Sequence, residues 1–145
     1  IIDARRYPLD CCFSMFKQLF AQGQEFTYGL KEAGSYYNSY VKLMDHWDKV
    51  LPGKILRVNN EDMVDDLEGQ VKRILEFVEV PFEEQCISFY KTERSIRTPS
   101  SEQVRKPVNK EGMGRWKPYA KYLTPLLEVL DEDLLEPEDI LFINS

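Results

Sequence analysis

The stretch Ile1-Ile2-Asp3-Ala4-Arg5-Arg6-Tyr7-Pro8-Leu9-Asp10-Cys11-Cys12-Phe13-Ser14 decides the fold. Its first residues, Ile1–Arg5, read as a short buried strand of the kind found in parallel sheets. Pro8 stands where a helix begins, because its fixed φ suits the first turn and its missing N–H would be unpaired there anyway. Asp10 falls in that turn, where a negative charge meets the positive end of the helix dipole. Leu9, Phe13, Phe16 and Phe20 recur at spacings of four, three and four, which places them on one helix face, and Gly23 is expected to end the helix. The pattern is strand, turn, helix, with Arg5 and Arg6 in the turn. An apolar strand at residue one usually has neighbours, so the chain reads as a piece of a larger sheet.

Beyond it, Leu30–Gly34 reads as a break. Tyr36 to Leu51 then reads as a helix, with Tyr37, Tyr40, Met44, Trp47 and Leu51 on a packed face and Pro52-Gly53 as its stop. Lys54–Val58 is a second strand and Asn59-Asn60 a turn. Asp62 is expected to cap a third helix that buries Met63, Leu67, Val71, Ile74 and Val78 and ends at Pro81. Phe82–Tyr90 reads as a short helix. Trp116 to Leu130 reads as a helix with Leu123, Leu126, Leu127 and Leu130 inward and a kink or restart at Pro125. Strand, helix, helix, strand, helix argues for an α/β fold with few parallel strands and a mostly helical remainder. Residues 1–130 are expected to form its body and residues 131–145 an acidic C-terminal tail, with Ile140–Ile143 either docked or frayed.

Composition narrows the function. In 145 residues, 43% are hydrophobic and 12% aromatic, which is globular. No apolar run approaches the roughly 20 residues of a membrane span. Three cysteines without metal-type spacing suit a reducing compartment, and a cytoplasmic location is expected. His46 cannot build a zinc site by itself. The net charge is −6, yet Lys91–Lys117 holds eight of the 19 basic and only three of the 25 acidic residues. A cationic island on an acidic body suits a small polyanionic ligand and discourages nucleic acid. Pro99, Pro107, Gly112 and Gly114 break helix there, and Ser95, Thr98, Ser100, Ser101, Gln103 and Asn109 supply short hydrogen-bonding groups. The island reads as a loop folding over phosphates, although a solvated basic loop has the same composition.

Arg6 emerges at the carboxyl end of the first strand, where ligands of open α/β sheets bind, beside a helix N-terminus that favours anions. Its guanidinium offers a bidentate fork for phosphate. Ser14, one turn beyond Asp10 on the same face, can direct its hydroxyl toward a group held there.

These residues carry a resemblance. Arg6-Tyr-Pro-Leu-Asp10-Cys-Cys-Phe-Ser14 resembles the R-x-P-x-D-x-x-x-S segment of sulfotransferases. Glu93-Arg94-Ser95, Ser100 through Asn109, and Arg115-Trp116 resemble the E-R-S, S-x-x-Q-V-x-K-P-V-N and K-W stretches of tyrosylprotein sulfotransferases and of bacterial sulfotransferases fused to tetratricopeptide repeats. The resemblance implies the C-terminal half of a P-loop-type, sulfotransferase-like fold that uses 3′-phosphoadenylyl sulfate (PAPS) and no metal. By it, Arg6 and Ser14 grip the 3′-phosphate. Ser100, Ser101, Gln103, Val104, Arg105, Lys106, Pro107 and Asn109 wrap the nucleotide, and Arg115 replaces the family's Lys near the phosphosulfate. Asn60 stands where the family often has Tyr, and Gln18 where tyrosylprotein sulfotransferases have Arg.

The family's phosphosulfate loop and general base lie upstream of the matching region. The implied function is sulfuryl transfer to the hydroxyl of a protein tyrosine, a carbohydrate or a small alcohol. The alternative is a non-catalytic nucleotide-binding or protein-interaction fragment. A kinase would need a Walker loop and magnesium ligands, which the sequence lacks. A half-sheet with exposed edges also favours pairing with a second copy.

Overall fold

A computed structural model describes residues 1–20, 22–91 and 103–143. The chain divides into two compact units, Ile1–Arg5 with Leu56–Glu111 and Arg6–Ile55 with Gly112–Ser145. The class is α/β, as expected. No helix among the described residues is long and apolar enough to cross a membrane.

In the first unit, β1 (Ile2–Arg5) and β2 (Leu56–Asn59) pair in parallel, Ile2 opposite Leu56 and Arg5 opposite Asn59. Burial corrects the reading of β1 as a buried strand. Ile1 and Ile2 are 70% and 44% exposed, whereas Asp3 is 5% exposed. Register explains how a carboxylate is accommodated. Asp3 lies opposite Arg57, so the two side chains share a face, and Arg5 follows two residues later on that face. Asp3 Oδ2 accepts from Arg5 Nη2 at 3.1 Å and from Arg57 Nε at 3.3 Å.

β2 runs directly into α3 (Asn60–Asp65), so the expected turn at Asn59-Asn60 is absent. Asp62 does not cap that helix; it accepts from Asn59 Nδ2 at 2.9 Å. The expected third helix is in fact two. Asp66 interrupts it, and its carboxylate accepts the Gly69 N–H at 3.0 Å, which caps α4 (Leu67–Phe77). Met63, Leu67, Val71 and Ile74 are half-buried, while Val78 lies beyond the helix and is exposed. The helix stops before Pro81 for a different reason. Glu79 takes φ 58°, its N–H bonds Glu76 O at 3.1 Å, and the Val80 N–H bonds Leu75 O at 2.9 Å. This is the Schellman pattern, with Glu where glycine is usual. Phe82–Tyr90 forms two 3₁₀ turns, Glu84–Cys86 and Phe89–Lys91.

In the second unit, α1 (Pro8–Lys17) ends before the expected stop at Gly23. Gln18 turns extended. The buried face is Leu9, Cys12 and Phe13, and Phe16 is 41% exposed. The apolar face gives out after Phe13, and a helix without burial to hold it frays.

α2 (Leu30–Val50) runs through the expected break at Gly34. A Cβ there would lie 2.7 Å from Val129 Cγ2 and 2.8 Å from Leu126 Cδ1. Gly34 is therefore a contact point between segments, not a helix breaker. Asn38 strengthens the same seam, donating to Val129 O at 2.7 Å and accepting the Asp131 N–H at 3.3 Å. Only the first half of the aromatic stripe is packed. Tyr37 is buried, but Trp47 and Leu51 are exposed.

Leu9, Cys12, Phe13, Ala33, Tyr37, Val41, Trp116, Leu123, Leu126 and Leu130 form one core. A 3₁₀ helix, Lys117–Tyr122, precedes α5 (Thr124–Leu127), which restarts at Pro125 as the sequence suggested. The C-terminal run is docked as α6 (Pro137–Ile143). Lys117 Nζ lies 3.0 Å from Asp139 Oδ1, and the Phe142 ring meets Trp116 edge-on at 5.8 Å.

Candidate functional site

The site candidate in the second unit is built from the turn into α1 and the loop at 112–116. Tyr37, anchored in the core by its ring, donates its hydroxyl to Arg6 O at 2.6 Å, which fixes the Arg6 backbone. Arg6 Nη2 donates to Gly112 O, which fixes the head of the side chain. Gly112 matters here for space, since a Cβ on it would lie 3.2 Å from Arg6 Nη2. Arg6 Nε is buried with no hydrogen-bond partner. An unpaired buried donor on a cation is costly, so it invites an acceptor.

Asp10, 3% exposed, reaches the same loop. Its Oδ2 accepts the Gly114 N–H at 2.7 Å and its Oδ1 the Arg115 N–H at 2.9 Å. Gly114 has φ +67°, a left-handed conformation that glycine adopts at little cost. Among the described residues, no carboxylate pairs with the guanidinium of Arg6 or of Arg115. Behind the loop, the Tyr7 hydroxyl accepts the Glu136 N–H at 3.2 Å. Burial pushes the Tyr7 phenol well above its usual value, with Asp139 adding to the rise and the Glu136 N–H opposing it. Burial likewise raises the Cys12 thiol.

The structure joins Arg6 to the loop carrying Arg115, whose side chain is exposed. Ser14 stands exposed on α1. Val104, Arg105, Lys106, Pro107 and Asn109 belong to the first unit. There Gln103–Arg105 is a 3₁₀ turn, and Arg105, Lys106 and Pro107 are exposed. Asn109 serves its own loop, accepting the Glu111 N–H at 3.0 Å and donating to Pro107 O at 3.3 Å. Ser100 and Ser101 lie outside the described residues, as do Glu93-Arg94-Ser95. No group of His, Cys, Asp or Glu among the described residues could hold a metal ion.

Two residues escaped the sequence reading. Asp10 stands in the sequence as a first-turn charge and as the acid of the R-x-P-x-D-x-x-x-S segment, with no role attached, and its partners lie about a hundred residues away. Tyr37 looked like packing, and its hydroxyl carried no signal.

The family model for the sulfotransferase family matches residues 1–84, more than half of the chain. The chain belongs to the sulfotransferase family. Its matched region includes Arg6, Asp10 and Ser14 and stops before the basic loop. A curated protein of Aquifex aeolicus (strain VF5), named only as an uncharacterized protein, is 34% identical over 142 residues, covering 96% of this chain and 19% of the relative. The sulfotransferase chain thus spans less than a fifth of that relative's length.

Proposed function

We propose that this sulfotransferase chain binds PAPS through its 3′-phosphate and serves transfer of the sulfuryl group to an acceptor hydroxyl. The observation that carries the reading is Arg6, whose Nη2 is tied to Gly112 O and whose guanidinium pairs with no carboxylate among the described residues. A guanidinium so held is oriented before any ligand arrives, which lowers the ordering cost of binding. The nucleotide supplies a sulfuryl group on a phosphate leaving group.

The chain's own residues bind and orient. Arg6 offers its guanidinium to a phosphate oxygen, and the first turn of α1 beside it favours negative charge. Ser14 adds a hydroxyl donor. Arg115, from the loop tied to Asp10, faces the reacting end and offsets charge there. The resemblance assigns Ser100, Ser101, Gln103, Val104, Arg105, Lys106, Pro107 and Asn109 to the same nucleotide, in a reducing, cytoplasmic setting. The sequence of this loop resembles tyrosylprotein and bacterial repeat-linked sulfotransferases alike, so a protein tyrosine, a carbohydrate and a small alcohol all stand as acceptor classes.

Calorimetry with adenosine 3′,5′-bisphosphate tests the reading. Losing a charge-assisted contact worth about 1.5–3 kcal/mol should weaken binding about ten- to hundredfold in Arg6→Ala. Arg57→Ala is the comparator, because that guanidinium is committed to Asp3. Equal losses in the two variants, or no binding by the wild-type chain, would sink the assignment.

A further inference from the structure

Asp10 is a buried charge that the nucleotide reading leaves unused. It lies in the first turn of α1, yet it is not spent on that turn's free N–H groups. The helix has no side-chain cap, and both carboxylate oxygens go to the backbone of residues 114 and 115. Successive N–H groups beside a left-handed residue form a concave nest that binds anions. Here the nest is filled from within the chain. Hydrogen bonds to an ionised acceptor are about twice as strong as neutral ones. The loop so held offers the Gly112 carbonyl to Arg6 and carries Arg115 two residues beyond Met113.

We propose that Asp10 is a positioning residue, a built-in anion whose occupation of the 114–115 nest fixes where Arg6 and Arg115 stand. The clamp itself needs only the geometry; what it positions them for rests on the nucleotide reading. The arrangement also explains how an acid can sit among site arginines without neutralising them. Its charge goes to backbone N–H groups, so both guanidinium groups keep theirs for a ligand.

Amide hydrogen exchange on the wild-type chain gives the first test, with no risk of misfolding. The Gly114 and Arg115 amides should exchange slowly. Asp10→Asn keeps the side-chain volume but turns one acceptor into a donor, so one of the two bonds must break. That variant should speed exchange at 114 and 115 about tenfold or more and weaken adenosine 3′,5′-bisphosphate binding by about tenfold, while the Tyr37 and Val41 amides of α2 keep their protection. Trp116 emission in a Trp47→Phe background should shift with the loop in Asp10→Asn.

Wild-type amides at 114 and 115 that exchange like exposed ones would overturn the clamp. So would an Asp10→Asn chain whose loop protection is unchanged, or one that loses α2 protection equally, since Asp10 would then only hold the fold. Clamped amides in a wild-type chain that does not bind the nucleotide would support the clamp and remove the nucleotide reading alone.

Discussion

Asp3 in the first unit and Asp10 in the second are both buried carboxylates, 5% and 3% exposed, and they are satisfied in opposite ways. Asp3 draws on two guanidinium groups, Arg5 and Arg57. Asp10 draws on two backbone N–H groups and, among the described residues, on no cation. The consequence falls on their neighbours. Arg5 and Arg6 are adjacent in sequence, but Arg5 is bound to an internal acid, whereas Arg6 bonds a backbone carbonyl and pairs with no carboxylate among the described residues. Counting basic residues cannot reveal which are available for a ligand; the partner chosen by each buried acid does.

The strongest way to break this contrast is to remove Asp3. Asp3→Ala leaves two guanidinium groups facing each other without their acid. Taking one partner from a buried pair costs about 3–5 kcal/mol, and about 3 kcal/mol is expected here because the Arg57 side chain is 36% exposed. Urea unfolding read by exchange of the β1 and β2 amides measures it. A loss under about 1 kcal/mol would mean that the ion pairs hold little and that the two acids differ less than their partners suggest.

The second unit should respond to volume more than to charge. In Gly34→Ala the new methyl would overlap Val129 and Leu126. Overpacking costs about 1–3 kcal/mol, offset by about 1 kcal/mol of improved helix propensity. A net loss of about 1 kcal/mol in thermal unfolding is expected, and a gain would show that the α2–α5 seam can open freely. In the first unit the opposite change should help. Glu79→Gly relieves a left-handed residue and should stabilise α4 by about 1 kcal/mol, read as slower exchange of its last-turn amides.

Much of the architecture was legible because it rests on local chemistry. Pro8 begins α1, Pro52-Gly53 ends α2, and Pro125 restarts α5, each through a fixed φ or a missing donor. The errors came where distant residues decide. Gly34 looks like a break until Val129 and Leu126 are known to pack on it. Ile1 and Ile2 look buried by type, but β1 buries Asp3 instead, because Arg57 lies opposite in register. The site followed the same rule. Arg6, Asp10 and Ser14 share one motif, but the role of Asp10 depends on a loop more than a hundred residues on, and the motif does not show that partner.

The smallest expected effect appears only in alkali, and it extends the contrast to a third, half-buried group. Tyr7, like Asp10, is met by a backbone N–H, that of Glu136, and its hydroxyl also bonds the Asp139 side chain. Burial makes its phenolate unfavourable, and the nearby Asp139 charge acts in the same direction. The folded chain therefore holds the Tyr7 proton more tightly than the unfolded chain does. That stabilisation is complete below the ordinary tyrosine value of about 10 and fades as the pH climbs through the higher folded value. Tyr7→Phe removes the titrating group and the bond to Glu136. Melting temperatures followed from about pH 9 to about pH 12 should then fall less steeply in Tyr7→Phe than in the wild type. Parallel curves would place the Tyr7 hydroxyl in water, and with it would go the hold that Glu136 and Asp139 have on that hydroxyl.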